Sequence, residues 1–201
     1  MRPELRAAAR VAAAFVVGIA AGAALRPGQA QVLPYAYLFL YLVVGTAGAY
    51  VGLSWRKVAA AGRRIIVVGL ALTAAAVAAD LAVGALVGVA LGLPLGESMA
   101  AAAGSGWYSF TGPFLSTISP LMGVVGFVGN QLREDLTLAA FPALRSFIGE
   151  GSIVMGGATT MDTTLGVITR YGGPEEGLEG LVQGVALTLL IPALLPALVR
   201  L

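Results

Sequence analysis

From Ser98 to Leu132 the chain carries no charged side chain. Comparable apolar runs lie elsewhere, from about Ala7 to Leu25, Val32 to Ser54, just after Arg64 to Leu91, and Leu178 to Val199. Each is about 19 residues or longer, enough to cross a hydrocarbon layer of about 30 Å as a helix. Only 11% of the 201 residues are charged and 58% are hydrophobic. A soluble domain carries about a quarter charged residues, so this chain could not give a soluble monomer an adequate polar surface. The expectation is an all-α integral membrane protein, because only helices and closed barrels meet every backbone hydrogen bond inside a bilayer.

The boundaries carry the expected punctuation. Arg26-Pro27-Gly28 ends the first run, Trp55-Arg56-Lys57 follows the second, and Gly92-Leu93-Pro94 stops the third. Residues 1–95 therefore read as three spans, and residues 96–201 as a core of different character within one transmembrane domain. In that core, Gly104-Ser105-Gly106, Thr111-Gly112-Pro113 and Ser119-Pro120 interrupt the apolar stretch, and Gly151 to Tyr171 is rich in Gly and Thr. The total is about five transmembrane helices plus two Gly-rich segments, broken or re-entrant. Those segments, Gly104–Gly112 and Gly151–Thr164, flank one span like counterparts, and paired interrupted helices point to a binding site near the midplane. Arg2, Arg6, Arg10 and the cluster Arg56, Lys57, Arg63, Arg64 outnumber the single Arg26 between them. The positive-inside rule then makes the N-terminus cytoplasmic and, after five spans, puts Leu201 outside.

There is no cysteine and no histidine. Thiolate and imidazole metal sites, and Ser-His or Cys-His nucleophile pairs, are excluded, so proton chemistry falls to carboxylates. No metal, cofactor or enzymatic activity is expected. No run of like charges suggests nucleic acid.

Ionisable groups at membrane depth are costly and therefore candidates for function. Glu134 stands in Arg133-Glu134-Asp135, where local pairing offsets part of its cost; the triplet reads as a broken span or as a polar loop between short helices. Asp162 follows Gly156-Gly157-Ala158-Thr159-Thr160-Met161, where the glycines free the backbone and the threonines can cap a restarting helix. That places Asp162 in the first turn of that helix, as a substrate or proton ligand or as a simple cap. Gly104, Ser105, Gly106, Trp107, Tyr108 and Ser109 combine close-approach glycines, hydroxyls and two aromatics that stack on a cation or mark an interface. Asp80 is explained equally well by pairing with an arginine of another helix. Glu97, Glu150, Glu175, Glu176 and Glu179 read as solvated residues at segment ends.

The last hundred residues resemble the LysO family of lysine exporters. The likeness rests on Gly106-Trp107-Tyr108-Ser109 with Gly112, on Arg133-Glu134 with Pro142, and on Gly156-Gly157-Ala158-Thr159-Thr160-Met161-Asp162. Residues 1–95 match only as three spans with a basic loop, and Asn130 stands where some members carry an acid. The resemblance implies secondary-active export of L-lysine, and of analogues such as thialysine, across the cytoplasmic membrane of a prokaryote. It also implies two intramembrane acids needed for transport, Glu134 and Asp162 here. Protons are the expected coupling ion. The substrate's ammoniums would fall to the two acids, and its carboxylate to a half-helix N-terminus near Thr159–Thr160 or to Arg133. Full-length members carry about three further N-terminal spans, so the resemblance also implies a homo-oligomer or a separately encoded small membrane protein. The alternatives are a passive channel filtered by the two Gly-rich breaks and a non-transporting subunit of a two-component transporter.

Overall fold

The computed structural model describes residues 3–26 and 55–201, with isolated positions between 31 and 53. Among the described residues every element is helical: α1 (Pro3–Leu25), α2 (Trp55–Leu91), α3 (Leu95–Ala103), α4 (Tyr108–Ser116) and α5 (Pro120–Ile148) come first. A 3₁₀ segment over Gly149–Met161, α6 (Leu165–Gly172) and α7 (Pro174–Leu198) complete the order. Three helical stretches are long and apolar enough to cross a membrane: Gly62–Leu91, Pro120–Met161 and Pro174–Leu198. The first expected span falls in α1, whose apolar part is the shorter Val16–Leu25. The second, Val32 to Ser54, lies largely outside the described residues.

The helix ends follow local chemistry. Gly92 takes a left-handed φ of 66° after α2, and Leu93 N donates to Gly88 O at 2.9 Å. This Gly-capped stop satisfies carbonyls the helix would otherwise leave open. Ser119 caps α5, its Oγ accepting from Met122 N, with Pro120 in the first turn where its missing N–H costs nothing.

Two expected breaks are absent. Thr111-Gly112-Pro113 lies inside α4, and Arg133-Glu134-Asp135 lies inside the continuous α5. Pro113 leaves open the carbonyl of Ser109, an exposed residue at the helix start, so the loss is tolerated.

Neighbour contacts give the path of the chain. α3 returns along α2, with Gly84 against Met99 and Gly88 against Ser98, and its start meets Leu198 and Val199 of α7 through Gly96. α4 runs antiparallel to α5, pairing Thr111 with Gly126 and Ser116 with Gly123. Residues 95–116 thus enter the core and leave on the same side as a re-entrant hairpin. The second hairpin, 149–172, enters from the opposite end. There Arg64 at the start of α2 bonds Glu150 (2.6 Å), and Arg145 at the end of α5 bonds Glu176 at the start of α7 (2.6 Å).

Each hairpin has its own apolar support. Ala76, Ala100, Ala103, Leu115, Leu187, Ile191 and Leu195 pack around the first; Leu72, Phe141, Ile153 and Ile168 pack around the second. Large apolar side chains such as Ile66, Leu86, Val124, Leu136 and Leu189 face outward, as a bilayer-facing surface requires. Where α7 meets the second hairpin, a Cβ at Gly184 would lie 2.6 Å from Met161 N and 2.8 Å from Ala158 O. Gly184→Val is therefore expected to destabilise the fold by about 1–3 kcal/mol, since backbone crowds the site on both sides. Thermal unfolding in detergent checks this against Gly22→Val, where nothing lies within 4 Å.

Candidate functional site

The two hairpins meet at their tips. Ser105 (φ 50°) and Gly106 (φ 91°) turn the first, Gly157 (φ 57°) kinks the second, and Ala158 N donates to Ser105 O at 2.7 Å. The two Gly-rich breaks, separate in sequence, are thus one place in space, and both segments are re-entrant.

α5 holds both tips through consecutive turns. Asn130 Oδ1 accepts from Gly106 N (2.6 Å), while its Nδ2 donates to Ala101 O and Gly126 O (2.8 and 2.7 Å). One turn on, Arg133 grips the second hairpin, with Nε donating to Met155 O (2.8 Å) and Nη2 to Val154 O (2.9 Å). Its Nη1 pairs with Asp80 Oδ1 of α2 at 2.5 Å. The expected local pairing of Arg133 with Glu134 is not found. Adjacent helical residues point about 100° apart, and Arg133 faces α2 and the hairpin instead. Asp80 has the interhelical arginine partner its sequence context allowed.

Glu134 is buried on a neighbouring face of α5, within electrostatic reach of Asp162 and of the Thr163 hydroxyl. Asp162 sits at the head of the second hairpin, its Oδ1 accepting from Thr163 N (2.6 Å) and Thr163 Oγ1 (3.3 Å). It lies outside the first turn of α6 rather than in it, because the helix begins at Leu165 with Thr164 as cap. Among the described residues neither Glu134 nor Asp162 forms an ion pair. Glu134, buried on α5, and Asp162, half-buried on the second hairpin, thus lie near enough to interact, and neither is paired with a described arginine or lysine.

The other expected site residues are placed as follows. Thr159 Oγ1 donates to Gly156 O and shares a hydrogen bond with Thr164 Oγ1; Thr160 Oγ1 bonds Gly157 O and Gly180 O. These hydroxyls bind the hairpin to itself and to α7. Trp107 stacks on Phe110 (centroids 4.9 Å apart), Tyr108 sets its ring edgewise to Phe127, and Ser109 is exposed. Gly104 lies against Thr111 and Asn130, Gly112 against Phe127, and Gly156 against Thr160 and Thr164.

Sequence reasoning missed the polar face of α7. Glu179, expected to be solvated, is fully buried, and its Oε1 accepts from Arg64 Nη1 at 2.7 Å. Gln183, also fully buried, donates from Nε2 to Ile153 O and Gly157 O, both at 3.2 Å. Their spacing of four residues, beside Gly180 and Gly184, is the signal that one helical face carries both. Glu176 likewise is held by Arg145 rather than left in solvent.

The chain is 28% identical over 182 residues, 90% of its length, to a protein of Escherichia coli (strain K12) named lysine exporter LysO, of which it covers 59%. It is 32% identical over 100 residues, 49% of its length, to a candidate lysine exporter of Haemophilus influenzae, of which that match covers 51%. The chain therefore spans only part of the relatives it matches. No solved structure matches it. The family model for the lysine exporter LysO matches residues 12–199, nearly the whole of the sequence, and the chain belongs to that family.

Proposed function

We propose that this chain is the substrate-carrying core of a secondary-active exporter that moves L-lysine, and analogues such as thialysine, out across a prokaryotic cytoplasmic membrane in exchange for protons. The observation that carries the reading is the proximity of Glu134 on α5 to Asp162 at the head of the second hairpin, neither of them in an ion pair among the described residues. Such a pair is a site for a cation, because each unneutralised carboxylate in a low-dielectric interior is costly. Lysine brings two ammonium groups. Its carboxylate falls to the positive, N-terminal end of α6, beyond Thr164. Arg133, already engaged by Asp80 and two carbonyls, is the poorer anion partner.

Coupling follows from competition. Protons entering from outside neutralise the two carboxylates and release lysine; their departure inside restores both charges for the next lysine. The two hairpins, entering from opposite ends, are the elements that alternate access to the pair. The N-terminus is cytoplasmic in this reading, and the transporter works as a homo-oligomer or together with a separate small membrane protein.

The test is lysine movement in proteoliposomes under an imposed pH gradient, with and without that partner. Glu134→Gln and Asp162→Asn are each expected to lower gradient-driven movement at least about a hundredfold, as loss of a positioned charge pair would. Unchanged movement in both variants at normal membrane abundance would sink the proposal. Gradient-independent, purely downhill flux would make the chain a channel instead.

A further inference from the structure

A cavity of about 300 Å³ lies between α2, α3 and α5, apart from Glu134 and Asp162. Its walls are mostly apolar, with Met122 buried and Val83, Val87 and Val125 half-exposed along an open side. Its polar lining includes Asp80, Ser98 and Arg133. Asp80 is 8% exposed and Ser98 6%, yet Asp80 Oδ2 and Ser98 Oγ make no hydrogen bond. Ser105 Oγ, at the tip of the first hairpin, lies within hydrogen-bonding reach of the Asp80 carboxylate but is not part of the cavity lining. Buried polar atoms in native proteins are nearly always hydrogen-bonded, so two orphans, Asp80 Oδ2 and Ser98 Oγ, on one cavity wall mark a place where something binds. Pairing with Arg133 accounts for Asp80 Oδ1 alone.

The spacing gives the shape of the occupant. Ser98 lies against Gly88, eight residues beyond Asp80 on α2, a rise of about 12 Å. A carboxylate oxygen stands at one end, a hydroxyl at the other, and valines and a methionine line the way between. We propose that this cavity is a second cation subsite, in which Asp80 Oδ2 accepts a primary alkylammonium whose aliphatic stem lies along Val83, Val87, Met122 and Val125. A lysine side chain, an ammonium on a flexible four-carbon stem, has that chemistry. Its identity as natural ligand rests on the exporter reading, in which the subsite is a station between the Glu134–Asp162 pair and the membrane end beside Leu93. Arg133 is then a tethered occupant of the same carboxylate. When an ammonium displaces it, Arg133 keeps its bonds to the carbonyls of Val154 and Met155.

The experiment uses n-pentylamine as probe and 1-pentanol as its neutral counterpart, with the full chain in nanodiscs and equilibrium binding as readout. Pentylamine is expected to bind wild type and to bind Asp80→Asn roughly tenfold or more weakly, the loss of a charge-assisted hydrogen bond. Val87→Phe, which fills the cavity and leaves the ion pair intact, should weaken binding similarly and covers the case in which Asp80→Asn fails to fold. Equal binding of pentanol and pentylamine, no pentylamine binding to folded wild type, or unaltered binding in Val87→Phe each overturns the subsite. Lysine export measured alongside, with and without the small membrane protein, separates the two readings: pentylamine binding without lysine movement in either case refutes export and leaves the subsite standing.

Discussion

Gly157→Ala is expected to part the two hairpin tips and destabilise the core by roughly 2–6 kcal/mol. Gly157 combines φ 57° with ψ −129°, a conformation that side-chain-bearing residues rarely adopt, and strain of this kind costs about 1–3 kcal/mol. A Cβ there would also overlap Ser105 O, the atom that accepts from Ala158 N across the tips. Moving either strand away leaves a buried N–H without a partner, at about 1–3 kcal/mol more. Thermal unfolding in detergent, with lysine movement in vesicles, gives the readout. Gly151→Ala is the control: it is exposed, has nothing within 4 Å and takes no positive φ, so it should leave both measurements near wild type. A Gly157→Ala protein as stable as wild type would mean that the tips are not joined as described.

Arg133→Met carries the second large expectation. It removes the partner of a buried carboxylate, a change that costs about 3–5 kcal/mol where an ion pair is broken from one side. It also frees the carbonyls of Val154 and Met155, loosening the second hairpin from α5. Replacing both partners, Asp80→Leu with Arg133→Met, should recover the electrostatic part of the loss while leaving the carbonyls ungripped. A double-mutant cycle on unfolding midpoints measures this, and a double variant no more stable than Arg133→Met would place the cost in the carbonyl contacts alone.

The parts of the fold that could be read from sequence are those with local causes. The spans in α2, α5 and α7 follow from length and apolarity. The breaks at Ser105–Gly106 and Gly157 follow from glycines at positions that need a positive φ. What local spacing could not supply is pairing between distant residues. Arg133, Glu134 and Asp135 look like a polar interruption in a line of text. In a helix they point three ways, to Asp80 and the second hairpin, to Asp162, and to Gln131, so α5 never breaks. Glu179 looks solvated beside Glu175 and Glu176 until Arg64, 115 residues earlier, is seen to lie against it. Asn130 gave no sign of its hold on the first hairpin, because Gly106 N and Ala101 O, two of its three partners, are brought to α5 only by the tertiary fold.

From α2 onward the elements read alike in either direction: span, hairpin, span, hairpin, span. Turned upside down, such a layout is nearly its own image, so the helices themselves say little about which way up the molecule belongs. Its arginines are not so even-handed. Arg63, Arg64, Arg145 and Arg170 crowd the end where the second hairpin enters, while Arg200 stands at the other. In the orientation proposed above, the rule that keeps basic loop residues on the cytoplasmic side lets a few guanidinium groups give this palindrome its heading.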